Sequence, residues 1–324
     1  MSDFKILSIC IPTWNRAKCL DTSLKSIQGQ TNTHLYEDIE ILVSDNCSTD
    51  NTEKIVKKYQ SLGVQIRYVK NKENIGGNNN FLQCMHIATG KYILLLSDDD
   101  ILAPDSIPFI VTTLKEREWG VMHLSNHESE GEVVVYNDYE KFIRRASYML
   151  TLISVNIFRK EAVEKTKLED YKDSYLNQVP VFITSAMLVP DSVVINRPMF
   201  QYGVADNAGG KYPYFEVFVR NYLDIWKDFL QLKKIKISTY KYLKRDVYNY
   251  LIKHHILWLL FNREQINKKG HVGFNIDNAW KTILQYYGNE LYFYTSFVWI
   301  IYHSIKHRVG KMLKTILAKL AKHE

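Results

Sequence analysis

Short apolar runs alternate with helical stripes along the first third of the chain. "KILSICI" (5–11) is apolar and rich in β-branched residues, which predicts a buried strand. In "PTWNRAKCLDTSLKSIQGQ", Leu20, Leu24 and Ile27 share one helical face. "DIEILVSD" (38–45) predicts a second strand, and "VQIRYVK" (64–70) a third. Between them, "STDNTEKIVKKY" has Asp50 with Glu53 three residues later, a cap pattern ahead of Ile55, Val56 and Tyr59. "GGNNNFLQCMHIATG" reads as a helix with Phe81, Cys84, Met85 and Ala88 facing in, closed by Gly90. "KYILLLS" (91–97) is a fourth strand. This strand–helix order predicts an α/β fold with a mostly parallel sheet flanked by helices.

Beyond residue 104 a further helix and the strand "WGVMHLS" follow, then "EGEVVVYND", read as an extra edge strand. Residues 139 to 225 mix helix and loop. After about 226 the pattern is helical, aromatic and basic. The expected division is an α/β domain over 1–225 and a helical region over 226–324. The first splits into a half at 1–107 that ends on the fourth strand's loop and a second half at 108–225.

Charge sharpens that division. From Thr239 to the end there are 14 Lys and Arg against 5 Asp and Glu, a net of +9. The whole chain is +7, which leaves residues 1 to 238 at about −2. A basic tail points to an anionic surface, phospholipid or nucleic acid. The cysteines, Cys10, Cys19, Cys47 and Cys84, form no C-x-x-C pair, which argues for free thiols in a reducing compartment. The N-terminus lacks a basic segment followed by a long apolar core, so no signal peptide is expected.

The chemistry gathers at the strand ends. In an open parallel sheet, ligands bind beyond the carboxyl ends of the strands. Strand one ends in Pro12, Thr13, Asn15 and Arg16, and strand two in Ser44, Asp45 and Asn46. Strand three leads to Asn74, Gly76, Gly77 and Asn80, and strand four to Asp98, Asp99 and Asp100. Adjacent aspartates repel unless a cation or hydrogen-bond donors compensate. Hard divalent cations take carboxylate and phosphate oxygens, which points to a metal carrying a diphosphate. The bland alternative is a turn or helix cap, and Asp100 suits a turn ahead of Pro104.

"SICIPTWNRAKCLDTSLKSI", "EILVSDNCSTDNTEKIVKKY", "IRYVKNKENIGGNNNF" and "ATGKYILLLSDDDIL" together resemble the donor-binding half of family 2 glycosyltransferases over about residues 6 to 107. "LISVNIFRKEA" resembles the same region of abequosyltransferase-like members. The resemblance implies the GT-A nucleotide-diphospho-sugar transferase fold, with a basic helical C-terminal region added here. It implies that Asp45 holds the base of a uridine-type nucleotide, flanked by Pro12, Thr13 and Asn15. Gly77 and Asn80 match the segment near ribose and diphosphate. Asp98 matches the ribose-contacting member of the D-x-D-type motif, and Asp99 its metal ligand, for Mn²⁺ or Mg²⁺. Many members carry Asp where this chain has Ser97, so the motif aligns in two registers; Asp99 survives both, and Asp100 is the alternative second ligand.

Family members usually place the catalytic base as an acid, often in an "ED" pair, at the start of a later helix. Here the segment reads "YKDSYLNQVPVF", where Asp173 is the nearest acid. Asp206, in "YGVADNAGGKY", is the other candidate, on a loop that could close over the site. Asp191 reads as a turn residue.

The tail, "NELYFYTSFVWIIYHSIKHRVGKMLKTILAKLAKHE" (289–324), places Met312, Leu313, Ile316, Leu317 and Leu320 against a lysine face. Its uncharged stretch, Leu291 to Tyr302, is too short to span a bilayer. The pattern suits a helix lying on an anionic membrane, or one packed on the catalytic domain. His254, His255, His303 and His307 read as parts of a solvated or lipid-facing basic face.

The expected function is transfer of a sugar from a nucleotide-diphosphate sugar to a hydroxyl of a glycan, with inversion the default from the resemblance. The expected acceptor is linked to polyprenyl diphosphate, for O-antigen, capsule or a related bacterial surface polysaccharide. The expected location is cytoplasmic, peripheral on the inner face of the cytoplasmic membrane, and no nucleic-acid partner is expected. The alternatives are a non-catalytic membrane- or nucleic-acid-binding protein with a degenerate nucleotide-sugar domain, and a sugar-phosphate nucleotidyltransferase. The second lacks its arginine-bearing glycine-rich loop after strand one.

Overall fold

The computed structural model describes residues 5–125, 132–201, 213–256 and 278–320, with residues 304 and 307–320 described as backbone alone. Strands β1 (Leu7–Thr13), β2 (Ile39–Asp45), β3 (Ile66–Lys70) and β4 (Tyr92–Leu95) alternate with helices. Those helices are α1 (Ala17–Gln28), the single turn α2 (Leu35–Asp38), α3 (Thr52–Ser61) and α4 (Gly77–Ile87). Next come β5 (Ile101–Leu102), α5 (Ser106–Glu116), β6 (Val121–Leu124), β7 (Val133–Tyr136), α6 (Tyr139–Ala146) and a 3-10 turn at Ser147–Thr151. The α/β part closes with β8 (Asn156–Arg159), α7 (Lys160–Lys165), α8 (Gln178–Leu188), β9 (Ser192–Ile195) and β10 (Phe200–Gln201). The remainder is helical: α9 (Tyr222–Gln231), α10 (Ile237–Val247), α11 (Ala279–Tyr287) and α12 (Leu291–Leu320). A π-helical turn, Glu216–Asn221, leads into α9, and another, Tyr248–Ile252, extends α10.

The main sheet runs β3-β2-β1-β4-β8-β6-β9-β7. Neighbours β3, β2, β1 and β4 are parallel, and β8 and β7 are the antiparallel members. The edge position of β7 matches the sequence reading of "EGEVVVYND". Both faces are covered, which is why β1 and β2 are buried at every position. On one face, Leu7, Ile9 and Ile11 pack with Leu20, Leu24 and Ile27 of α1, the stripe expected from the sequence. Each such leucine or isoleucine contributes about 2 kcal/mol by leaving water.

The other face carries α4, α6 and α8. Its core continues into the C-terminal helices, so Cys10, Ile93 and Phe158 share one cluster with Trp226, Val247, Tyr287 and Ile300. A boundary at 225/226 therefore falls inside α9 and across a continuous core.

Two local expectations are corrected. Gly90 does not close α4, which ends at Ile87 where Ala88 turns extended. A Cβ on Gly90 would sit 2.5 Å from the Ser8 backbone nitrogen, so this glycine serves the close approach of the β4 entry to β1. Glu53 does not complete a capping box; it pairs with Lys57 and Lys70. The N-cap position of α3 is Asn51, and Asp50 before it takes the Thr52 N–H at 3.0 Å and, across the chain, the Ala17 N–H that opens α1 at 2.9 Å.

Candidate active site

The strand order reverses between β1 and β4, the point at which a doubly wound sheet opens a crevice. Thr13 closes β1 opposite Asp45, which closes β2. The Thr13 hydroxyl donates to Asp98 Oδ2 at 2.7 Å. Thr13 thereby joins the ends of β1 and β2, through the ladder, to the aspartate turn, through its hydroxyl. Arg16, just before α1, lies over the same turn. It donates from Nη1 to Asp98 Oδ1 at 2.5 Å and from Nη2 to Asp99 Oδ2 at 2.7 Å. Ser97 donates its hydroxyl to Asp99 Oδ1, and its N–H goes to Ser154 Oγ at 2.9 Å.

These contacts answer how adjacent carboxylates coexist. Burial pushes the Asp99 carboxyl up, but hydrogen bonds from Ser97 and Arg16 outweigh it and hold the group below the usual carboxylate range. Burial likewise works against the Arg16 charge, and Asp98 and Asp99 overcome it, so the guanidinium is held firmly protonated. Asp100 is buried, with its N–H on Ser97 O at 3.1 Å, as a turn residue would be.

Asp45 is fully buried. Its Oδ1 accepts the Ser48 N–H at 2.8 Å and its Oδ2 the Tyr68 hydroxyl at 2.5 Å. Burial first, then the bond to Asp45, pushes the Tyr68 phenol far up, so it remains a donor. Pro12 pairs with Ser44 inside the ladder. Asn15 adopts a positive φ of 52°, and its side chain takes the Thr49 N–H at 2.8 Å, stapling the first loop to the second.

The third loop is held by an amide network. Asn46 Oδ1 accepts the Ile75 N–H at 2.9 Å, and Asn46 Nδ2 donates to Asn74 Oδ1 at 2.7 Å. Asn80 is turned onto Ser44, accepting its hydroxyl at 2.6 Å and donating to its carbonyl at 2.9 Å. Gly76, at φ 84°, makes the left-handed turn into α4 that other residues adopt at a cost. No side chain caps α4, and a Cβ on Gly77 would meet nothing within 4 Å. Its first backbone N–H groups therefore form a helix terminus suited to an anion.

Asp173 is exposed beside that terminus. Its loop is pinned there by Asn78 Nδ2 on Lys172 O at 3.1 Å and Asn177 Nδ2 on Asn78 O at 3.3 Å. Helix α8 opens with Asn177 and Gln178, both buried neutral amides, where an acidic pair was sought. Asp206 lies outside the described residues. Asp191 accepts the Gly120 N–H through its carbonyl and pairs with Arg117, a turn role remote from the rim.

The rim therefore brings together Pro12, Thr13, Asn15, Asp45, Asp98 and Asp99 directly, with Gly77, Asn80 and Asp173 joined through α4. Sequence reasoning placed Arg16 there without a role and missed Tyr68. The available signal for Tyr68 was register: it lies opposite Val43, two residues before Asp45.

Asp99 supplies hard, ionised oxygens, and among the described residues no group of three or more potential ligands surrounds it. That donor set fits a cation that takes most of its ligands from phosphate and water, as Mg²⁺ and Mn²⁺ do.

The family described as glycosyl transferase family 2 matches residues 8–188, more than half of the chain. The abequosyltransferase RfbV of Salmonella typhimurium is 40% identical over 110 residues, 34% of this chain and 32% of that protein. The GalNAc(5)-diNAcBac-PP-undecaprenol beta-1,3-glucosyltransferase of Campylobacter jejuni is 32% identical over 131 residues, 39% of this chain and 40% of that protein. The matches thus span a third to two fifths of those relatives' length. S. aureus TarS 1-349, solved in complex with UDP-GlcNAc, superposes with a TM-score of 0.59 at 15% identity, over 81% of this chain and 78% of that one, which speaks to fold.

Proposed function

The chain belongs to glycosyl transferase family 2, and from that premise we propose that it moves one sugar from a nucleotide-diphosphate donor to a glycan hydroxyl in bacterial surface polysaccharide synthesis. The observation that carries this reading is the Thr13 bridge, which joins the Asp45 strand end and the Asp98–Asp99 turn at one edge of the sheet. The expected roles stand as proposals: Asp45, Pro12, Thr13 and Asn15 at the base, Gly77, Asn80 and Asp98 along ribose and diphosphate. Asp45 and Asn80 act chiefly by shaping the walls, since their polar atoms are engaged by Ser48, Tyr68 and Ser44. The open N-terminus of α4 receives a phosphoryl oxygen.

Asp99 would hold Mg²⁺ or Mn²⁺, which when bound supplies charge neutralisation for the departing diphosphate. Arg16 keeps Asp99 ionised and holds both Asp98 and Asp99 in place until then. Asp173, exposed beside the α4 terminus, is the base we assign to the acceptor hydroxyl; Asp206 is the alternative. Inversion is kept as the proposed outcome, with the acceptor hydroxyl attacking the sugar carbon from the side opposite the diphosphate.

The functional division is retained as a proposal, with chemistry in 1–225 and surface attachment in 226–324. Helix α12 presents Leu291, Tyr294, Val298, Ile301 and Ile305, all exposed and spaced by three and four residues. Leu291 is 78% and Val298 73% exposed, beside Lys306. No helix among the described residues is long and apolar enough to cross a membrane. A stripe of this kind suits peripheral attachment to an anionic inner-leaflet surface, next to a polyprenyl-diphosphate-linked acceptor.

The decisive test is a thermal-shift screen of nucleoside diphosphates with and without Mn²⁺. A ligand that binds the folded state alone raises stability by mass action. A selective shift that needs the cation supports the reading and names the base; no shift with any nucleotide would count against it.

A further inference from the structure

On the outward face of α10 and its π-helical continuation, Tyr242, Asp246 and Tyr250 follow one another at four-residue spacing. Tyr250 is 60% and Tyr242 44% exposed. Tyr148, from the 3-10 turn after α6, stacks on Tyr250 with ring centroids 5.4 Å apart and planes 19° from parallel. Arg144 lies 5.6 Å over the Tyr242 ring. Asp246 sits half-buried among them and accepts the Ser147 hydroxyl. Burial raises its carboxyl above the usual range, and the Ser147 bond offsets part of that. Burial, and after it the Asp246 charge, raises the Tyr148 and Tyr242 phenols, which marks the group as one electrostatic neighbourhood.

We infer that this tyrosine-walled surface is a subsite for the body of the acceptor glycan, resting on the transferase reading above. A sugar ring has an apolar C–H face and a girdle of hydroxyl groups. Flat aromatic faces take the first, and a carboxylate with a nearby guanidinium takes the second. The location suits the role. From Tyr148 the chain runs through Thr151, whose carbonyl accepts Gln178 Nε2 at the start of α8, to Ser154, whose hydroxyl takes the Ser97 N–H at the aspartate turn. Six residues separate Tyr148 from Ser154, at most about 20 Å of extended chain. An acceptor that reaches both places is an oligosaccharide; a lone monosaccharide is too small.

The test uses the labelled full chain on a printed array of bacterial surface oligosaccharides, with slow hydrolysis of nucleotide sugars measured in parallel. The wild type is expected to retain oligosaccharides. Tyr250→Ala and Tyr148→Ala should each lower retention at least tenfold, and Tyr250→Phe should keep it, with donor hydrolysis unchanged in all three. Retention equal to wild type in both alanine variants overturns the subsite. So does a wild type that hydrolyses donor yet retains no glycan. A wild type inactive on every nucleotide sugar overturns the transferase reading and the subsite with it.

Discussion

At the carboxyl ends of β1, β2 and β4, the polar side chains are held by one another: Thr13 by Asp98, Asp99 by Arg16 and Ser97, Asp45 by Tyr68. On the outward faces of α10 and α12, Tyr250, Leu291 and Val298 each expose more than half of their surface. The two regions belong to one fold and share a core. The difference is one of reorganisation. A charged ligand needs donors and acceptors fixed in advance, because turning them at the moment of reaction costs free energy. A sugar face or a lipid surface needs apolar area left open.

The sharpest way to break the comparison is Asp99→Asn. It removes the ionised oxygens while keeping the shape, so transfer should fall at least about 100-fold, with the fold retained by circular dichroism and the urea midpoint lowered by loss of the Arg16 ion pair. Full transfer activity in this variant would sink the proposed role.

Arg16→Ala comes next. It leaves Asp98 and Asp99 without the guanidinium in a turn where Asp98 is 3% exposed. Removing one partner of a buried ion pair costs about 4 kcal/mol, readable by urea unfolding. Added Mn²⁺ should restore part of it, and electron paramagnetic resonance should show tighter Mn²⁺ binding without nucleotide. Unchanged stability together with unchanged Mn²⁺ affinity would mean that Arg16 is not the compensating charge.

The core below the rim offers a pH contrast. His123 is fully buried on β6, with Nδ1 2.9 Å from Asn156 Oδ1, and burial lowers its pKa to about 4 from 6.5. As pH falls, the unfolded chain takes up this proton first. Stability is therefore full above pH 6.5, declines between 6.5 and about 4, and loses nothing more from His123 below that. The loss amounts to about 3 kcal/mol. His123→Leu should flatten that segment of the stability curve; an identical slope would exclude His123 as its source. Asp99 acts on a lower window. Its folded pKa is depressed, so its contribution holds above the ordinary carboxylate pKa and fades as pH falls below it.

The smallest effect is expected on α12. Val298→Asp should weaken binding to phosphatidylglycerol-containing vesicles about tenfold by cosedimentation and leave nucleotide binding unchanged. No affinity for such vesicles in the wild type would refute the membrane assignment outright.

Much of this was legible in the order of residues. The alternation of apolar runs and helical stripes yields the strands and helices through β4, since burial on both faces of a parallel sheet demands near-continuous apolar strands. The polar clusters at the strand ends follow from chain order, because every parallel strand delivers its last residues to the same edge. One histidine departs from the pattern: His255 does not lie on a solvated face but stacks on Tyr214 at 4.0 Å.

Tertiary structure alone decided which side chains meet. Arg16 lies 82 residues from Asp98, Tyr68 lies 23 from Asp45, and Tyr148 stacks on a tyrosine about a hundred positions away. Periodicity reports the face on which a residue lies, because it depends on backbone geometry that repeats locally. Partners are set by which faces the whole fold presses together, and that is written nowhere in any one segment.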